Sequence, residues 1–118
     1  MLKFQYPDNF KHTDDAILKS ELYITPKAKG LGIIGMAEIV LSIFLSREVK
    51  DRNGKPASLI QIANGFEYVF NFSFGNIYEK RLEITNRKPY NLTKALDFLK
   101  NILVQKAKKT PNEKDEKR

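Results

Sequence analysis

The stretch Phe66-Glu-Tyr68-Val-Phe70-Asn-Phe72-Ser-Phe74 places an aromatic ring at every second position. Because successive side chains of a β-strand point to opposite faces, this alternation predicts a strand with all the rings on one face. The rings either form half of a hydrophobic core, each contributing about 1.5–3 kcal/mol on burial, or form a platform for unpaired bases, at about 1–3 kcal/mol per stacked base. We favour the core, because a helix able to cover this face follows shortly afterwards.

Other segments show the alternation or the turn signals of strands. Residues 36–48 are apolar on both faces, which is typical of a central strand. Residues 58–63 predict a strand that joins the aromatic strand through a two-residue turn at Asn64-Gly65. Residues 81–85 predict a fifth strand. Residues 16–25 favour a strand, although the preceding Thr13-Asp14-Asp15 would equally cap a short helix.

The C-terminal part of the chain has the pattern of an amphipathic helix that ends near Lys106. The sequence allows two positions for the start of this helix. Asn91 would cap a helix that begins at Leu92, while Thr85 would cap an earlier start, in which Pro89 disturbs the first turn. Together with the strands, this helix predicts an α+β fold, an antiparallel meander of four to five strands packed against one long C-terminal helix. The apolar arc spans roughly 160° and consists of Leu92, Ala95, Leu96, Phe98, Leu99, Ile102 and Leu103.

The chain of 118 residues has the length of one domain. We expect an N-terminal arm at residues 1–15, an α+β domain at residues 16–106 and a disordered basic tail at residues 107–118. No signal peptide is evident, and the most apolar run, residues 31–45, is too short to span a membrane. We therefore expect a soluble protein, in the cytoplasm of a cell or of a viral host.

Residue types that carry most enzyme chemistry are scarce in this chain. It has no cysteine, and His12 is its single histidine. Gly30, Gly32 and Gly35 do not have the spacing of a dinucleotide-binding loop and precede a predicted strand. Adjacent Asp14-Asp15 is more typical of a cap or a surface than of a catalytic pair. The sequence therefore predicts a protein that is not an enzyme and needs no cofactor or metal.

The net charge of +7 favours polyanionic partners. Residues 106–118 contribute +3 of it, and the rest of the chain +4. Two groups of cations lie near predicted turns and strand ends, and neighbouring acids reduce each group to +2. Cations at strand edges also protect sheets against aggregation. The charge pattern alone therefore does not distinguish a nucleic-acid-binding surface from protected strand edges. If the surface binds nucleic acid, phosphates would be contacted by Lys50, Arg52, Lys55, Lys80, Arg81, Arg87 and Lys88, and bases would stack on Tyr78 and Phe44.

A basic strand, Tyr78-Glu-Lys80-Arg81-Leu82-Glu-Ile84-Thr85, leads into the Leu/Phe-rich C-terminal helix. This arrangement over residues 36–105 resembles the single-stranded-DNA-binding fold of positive cofactor four and the Whirly proteins, and the small DNA-binding proteins of archaeal rod-shaped viruses. The resemblance implies a viral protein in which sheets hold one strand of DNA and helices pair across a homodimer. Phe98, Ile102 and Val104 are then the expected dimer contacts.

We therefore expect a non-catalytic protein that binds single-stranded nucleic acid, DNA above all, with little sequence specificity. The alternative is a small protein–protein interaction or inhibitor module, of the kind that viruses encode, which uses an exposed strand edge or the apolar flank of the helix.

Overall fold

Helices form almost all of the regular structure in the computed structural model, which describes residues 20–109. Within that range the only strand-like pairing is a single antiparallel bridge between Lys50 and Pro56. A short 3₁₀ turn, Pro89–Asn91, precedes the last helix. The four helices are α1 (Gly32–Ser46), α2 (Leu59–Phe70), α3 (Ile77–Thr85) and α4 (Lys94–Lys109).

Helix α1 is the centre of the structure, because it contacts each of the other three helices. Its buried positions recur with helical spacing at Met36, Ala37, Val40 and Leu41. The core around them is completed from α2, α3 and the connecting segments by Ala57, Leu59, Ile62, Ala63, Phe74, Ile77 and Ile84.

Helix α2 begins with a capping box. The Ser58 hydroxyl accepts the N–H of Gln61 at 3.2 Å, and the Gln61 side chain accepts the N–H of Ser58 at 2.8 Å. This reciprocal pair satisfies donors that the first helical turn leaves without partners. The rings of Phe66 and Phe70, one turn apart, are in contact at a tilt of 40°, with their centroids 6.0 Å apart.

The chain reverses between α2 and α3 over residues 71–76. The Glu67 carboxylate accepts the N–H of Phe74 at 2.7 Å and so fixes the turn against the end of α2. Phe74 is buried and meets Phe72 edge-on. Asn76 then caps α3, since its side chain accepts the N–H groups of Tyr78 and Glu79.

A buried carboxylate fixes the start of α4. Glu38 of α1 is 2% exposed and accepts the backbone N–H groups of Ala95 at 3.0 Å and Leu96 at 2.8 Å. It also pairs with Arg87, with 2.6 Å between Oε1 and Nη1. A carboxylate is favourable at a helix N-terminus, where N–H groups lack partners within the helix.

The predicted antiparallel meander is wrong, because the described parts of all five predicted strands are helical or irregular. The aromatic stretch, residues 66–74, lies in α2 as far as Phe70 and is irregular beyond it. Residues 36–48 lie mostly in α1, and residues 58–63 begin α2. Asn64-Gly65 continues α2 instead of turning the chain. Residues 81–85 end α3, and residues 20–25 contain no strand. The resemblance to sheet-based single-stranded-DNA-binding proteins loses its structural basis with the sheet.

The alternation of aromatic residues wrongly predicted a strand, because some of the same residues also have the spacing of a helix. Leu59, Ile62, Ala63, Phe66 and Phe70 recur at helical spacing on the side of α2 that faces the protein. Tyr68 lies off this stripe and is 58% exposed, so the rings do not share one face. Residues 36–48 also alternate, but a run that long is more typical of a helix than of a strand.

The expected C-terminal helix is confirmed, although it begins at Lys94 rather than at either expected position. Asn91 ends the 3₁₀ turn, and the Thr85 hydroxyl donates to carbonyls of its own helix, α3. Helix α4 continues to Lys109, three residues into the predicted tail. The rest of that tail, residues 110–118, and the predicted arm, residues 1–15, lie outside the described residues, as does His12.

Candidate nucleic-acid interface

A tight turn between α1 and α2 carries the first group of cations. The Asp51 carboxylate accepts the N–H of Asn53 at 2.8 Å and that of Lys55 at 3.1 Å. Backbone bonds close the turn from Asp51 N–H to the Lys55 carbonyl and from Ala57 N–H to the Val49 carbonyl. Asp51 is therefore a structural acid, because its oxygens hold the backbone that presents the neighbouring cations.

Lys50, Arg52 and Lys55 are all exposed on this turn. None of them forms an ion pair with another described residue. The Lys50 ammonium only approaches the Arg47 carbonyl, at 3.5 Å. The structure thus brings the three predicted phosphate contacts of this group together on one exposed turn, with their charges available to a partner.

Helix α3 carries the second group. Ile77 and Ile84 face the core, while Tyr78 and Arg81 are exposed on one flank and Lys80 is half-buried on the other. Neither cation forms an ion pair with another described residue. The outward surface of α3 also has Glu79, Leu82 and Glu83, all exposed. The outward face of α3 is therefore mixed in charge, and only the cations on its two flanks are placed to bind phosphates.

Arg87 has a structural role that the sequence did not reveal. Its Nη1 donates to Glu38 and approaches the carbonyl oxygens of Asn91, at 3.4 Å, and Leu92, at 3.2 Å. A guanidinium held in this way is not free for a phosphate, and we leave it out of the interface. Its neighbour Lys88 is exposed and forms no ion pair with another described residue.

The two predicted stacking rings differ in their surroundings. Tyr78 is 50% exposed at the start of α3. Phe44 is half-buried on α1 and packs against the hydrophobic core, so its ring is less accessible to a base than that of Tyr78. Tyr90, on the 3₁₀ turn beside Lys88, is 76% exposed and is the better placed second ring.

The residues expected at a dimer contact lie on the outer part of α4. Phe98, Ile102 and Val104 are each more than two-fifths exposed. Phe98 lies over Gly30, where a Cβ atom would be 2.4 Å from the ring carbon Cζ. Beyond Leu99, every described side chain of α4 is exposed, and Leu103 joins the exposed apolar residues.

Residues 20–109 contain no group of three histidine, cysteine, aspartate or glutamate side chains arranged to hold a metal ion. Over the same residues, no helix has both the length and the apolar character needed to cross a membrane. No family model, curated protein or solved structure matches the chain. Its own residues therefore carry the functional argument.

Proposed function

We propose that this protein binds nucleic acid without catalysing a reaction on it. The observation that supports the proposal is the exposed turn with Lys50, Arg52 and Lys55. None of these three side chains forms an ion pair with an acid of the described residues. Lys80 and Arg81 of α3 and the exposed Lys88 extend the available positive charge. Contacts between such cations and phosphates, with release of counterions, supply most of the affinity of sequence-independent binding.

The helical fold changes the form of nucleic acid that we propose. The expectation of a single strand depended on a sheet with exposed rings, whereas the helical structure offers isolated rings at Tyr78 and Tyr90. Isolated rings do not form a stacking platform for unpaired bases, so the available contacts are those of the cations on the turn and on the flanks of α3 with phosphates. We therefore propose binding with little sequence preference and with duplex DNA preferred over a single strand. We propose the cytoplasm as its compartment, which the lack of cysteine fits.

Fluorescence anisotropy with labelled oligonucleotides tests the proposal. Wild type is titrated at low salt with a duplex and with a single strand of the same sequence. Arg52→Ala/Lys55→Ala and Lys80→Ala/Arg81→Ala should each bind more weakly. Lys100→Ala/Lys108→Ala removes the same charge from exposed positions of α4 and is the matched control.

Binding of wild type weaker than about 100 μM at low salt, the weak end of ordinary non-specific affinity, would overturn the proposal. Equal weakening by the control variant would contradict the interface and indicate a diffuse effect of net charge. Tighter binding of the single strand than of the duplex would contradict the duplex preference and favour the single-stranded ligand expected from the sequence.

A second candidate is protein binding through α4, including self-association. The observation that favours it is the exposed apolar surface on α4, where the described side chains beyond Leu99 are all exposed. This surface consists of Phe98, Ile102, Leu103 and Val104. Sedimentation should then show a species larger than the 13.6 kDa monomer. Partners that remain bound in a pull-down after nuclease treatment would favour this candidate over nucleic-acid binding.

A further inference from the structure

An open apolar groove of about 500 Å³ runs along α2. Its volume lies within the range of sites that bind small molecules, about 300–1,000 Å³. Val49 is 43% and Val69 39% exposed, so the described residues leave part of the apolar surface open to a ligand. The apolar walls include Ile43, Val49, Ile62, Phe66, Val69 and Phe70.

The groove is polar at one end and apolar at the other. The backbone N–H of Ala57, two positions before the first residue of α2, donates to the Val49 carbonyl at 2.8 Å. Lys50, which lines the groove next to Val49, is therefore placed beside the start of α2. Phe66 and Phe70 line the groove from the second half of α2. A ligand along α2 thus meets a cation first and aromatic rings further on.

The charge at the polar end favours an anion. Lys50 is the only ionisable side chain among the described residues that line the groove, and Gln61 is the only other polar one. The Lys50 side chain is exposed and forms no ion pair with another described residue. A carboxylate at this end gains a charge-assisted hydrogen bond, whereas a cationic group is repelled. The groove therefore fits a ligand with one acidic head and a hydrocarbon tail.

We propose that this groove binds a free fatty acid, with the carboxylate at Lys50 and the tail against Phe66 and Phe70. From Gln61 to Phe70, α2 rises about 14 Å, which is close to the length of extended dodecanoate. Dodecanoate is therefore the probe. The proposal goes beyond nucleic-acid binding and does not depend on it.

Isothermal titration calorimetry with dodecanoate, below its micelle concentration, tests the contribution of the tail and of the head. Wild type should show saturable binding at one site. Decanoate, which is two methylenes shorter, should bind about fifteenfold more weakly, because each buried methylene contributes about fourfold in affinity. Dodecyltrimethylammonium, with the same tail on a cationic head, should also bind more weakly than dodecanoate.

The role of Lys50 is tested by changing its charge. Lys50→Ala should weaken dodecanoate binding about threefold to fivefold, the range for an exposed ion pair, and Lys50→Glu should reverse the preference between the anionic and the cationic probe. Lys100→Ala, at an exposed position of α4 away from the groove, is the control and should change neither affinity. An unchanged order of the two probes in Lys50→Glu would overturn the assignment of the carboxylate to Lys50.

Gly65 allows the groove to be filled without disturbing the core. It lines the groove, and an added Cβ atom meets no atom within 4 Å. Gly65→Leu should therefore keep the helical fold, which circular dichroism checks, while its side chain blocks the tail. Asn64→Leu, at the preceding exposed position of α2, adds a leucine outside the described groove lining and is the matched control. Dodecanoate should bind to Asn64→Leu as to wild type and much more weakly to Gly65→Leu.

Three results would overturn the proposal. The first is the absence of saturable dodecanoate binding to wild type. The second is equal affinity of Gly65→Leu and Asn64→Leu for dodecanoate, which would place the fatty acid elsewhere. The third is a wild-type dimer in sedimentation that Gly65→Leu converts to a monomer, which would assign the groove to a second copy. Binding of wild type to phosphatidylglycerol vesicles but not to dodecanoate would likewise replace the free fatty acid with a lipid surface.

Discussion

The carboxylate of Glu38 and the guanidinium of Arg87 form an ion pair with 2.6 Å between Oε1 and Nη1, at side chains that are 3% and 15% exposed. The same carboxylate accepts the N–H groups of Ala95 and Leu96. One side chain of α1 therefore binds both the segment after α3 and the first turn of α4. It is the buried polar group on which the packing of α4 depends.

Glu38→Ala should destabilise the protein by roughly 3 kcal/mol, because the substitution leaves a half-buried guanidinium and two helix N–H groups without their acceptor. Urea denaturation of the variant and of wild type measures the change in free energy of unfolding. Glu83→Ala, which removes an exposed carboxylate of α3, is the control and should stay within about 0.5 kcal/mol. A similar stability for the two variants would contradict the structural role of Glu38.

Gly30→Ala should destabilise the protein by about 1 kcal/mol, because the new methyl group overlaps the Phe98 ring and drives it from its contact. In a Phe98→Ala background, the same substitution should cost much less, since the ring is gone. A double-mutant cycle based on thermal unfolding measures this coupling. Equal costs in the two backgrounds would show that α4 does not cover Gly30.

Two glycines should respond to alanine in opposite directions. Gly65 lies within α2, where an added Cβ meets no atom within 4 Å, so Gly65→Ala should stabilise by about 0.5–1 kcal/mol. Gly75 has a φ of +79° in the turn before α3, so Gly75→Ala should destabilise by roughly 1 kcal/mol or more. Thermal melts of the two variants check both signs. Destabilisation by Gly65→Ala would argue for the turn first predicted from the sequence.

The aromatic residues 66–74 should differ sharply in their contribution to stability. Phe74 is 3% exposed and Tyr68 58% exposed. Phe74→Ala should cost roughly 3–5 kcal/mol, as for other buried aromatic residues, and Tyr68→Ala much less. Chemical denaturation compares them. Similar losses would indicate rings on one buried face, as in a strand, and would contradict the helix.

The sequence predicted an element correctly where the spacing of its apolar residues fitted a helix and not a strand. The apolar spacing of α4 is present in the structure. The aromatic stretch fitted two periods, and the strand was chosen although Ser58 and Gln61 have the spacing of a capping box three residues apart. That signal, together with the length of residues 36–48, would have favoured helices.

The candidate site was predictable in part for a related reason. Lys50, Arg52 and Lys55 are neighbours in sequence, so a turn was enough to bring them together. Arg87 was assigned to phosphate because its partner, Glu38, lies 49 positions away, and no local pattern reveals a pair at that separation. Long-range packing also decides that Phe44 lies against the core.

The salt dependence of affinity tests the proposed interface most directly. Each phosphate neutralised on a duplex contributes about 0.9 to the slope of log affinity against log salt concentration. Arg52→Ala/Lys55→Ala should therefore flatten the slope of wild type by about 1.8, while Lys100→Ala/Lys108→Ala should leave it unchanged. Anisotropy titrations of one duplex over a series of salt concentrations give all three slopes. A slope that is the same in wild type and Arg52→Ala/Lys55→Ala would contradict the assignment of the exposed turn to phosphate binding.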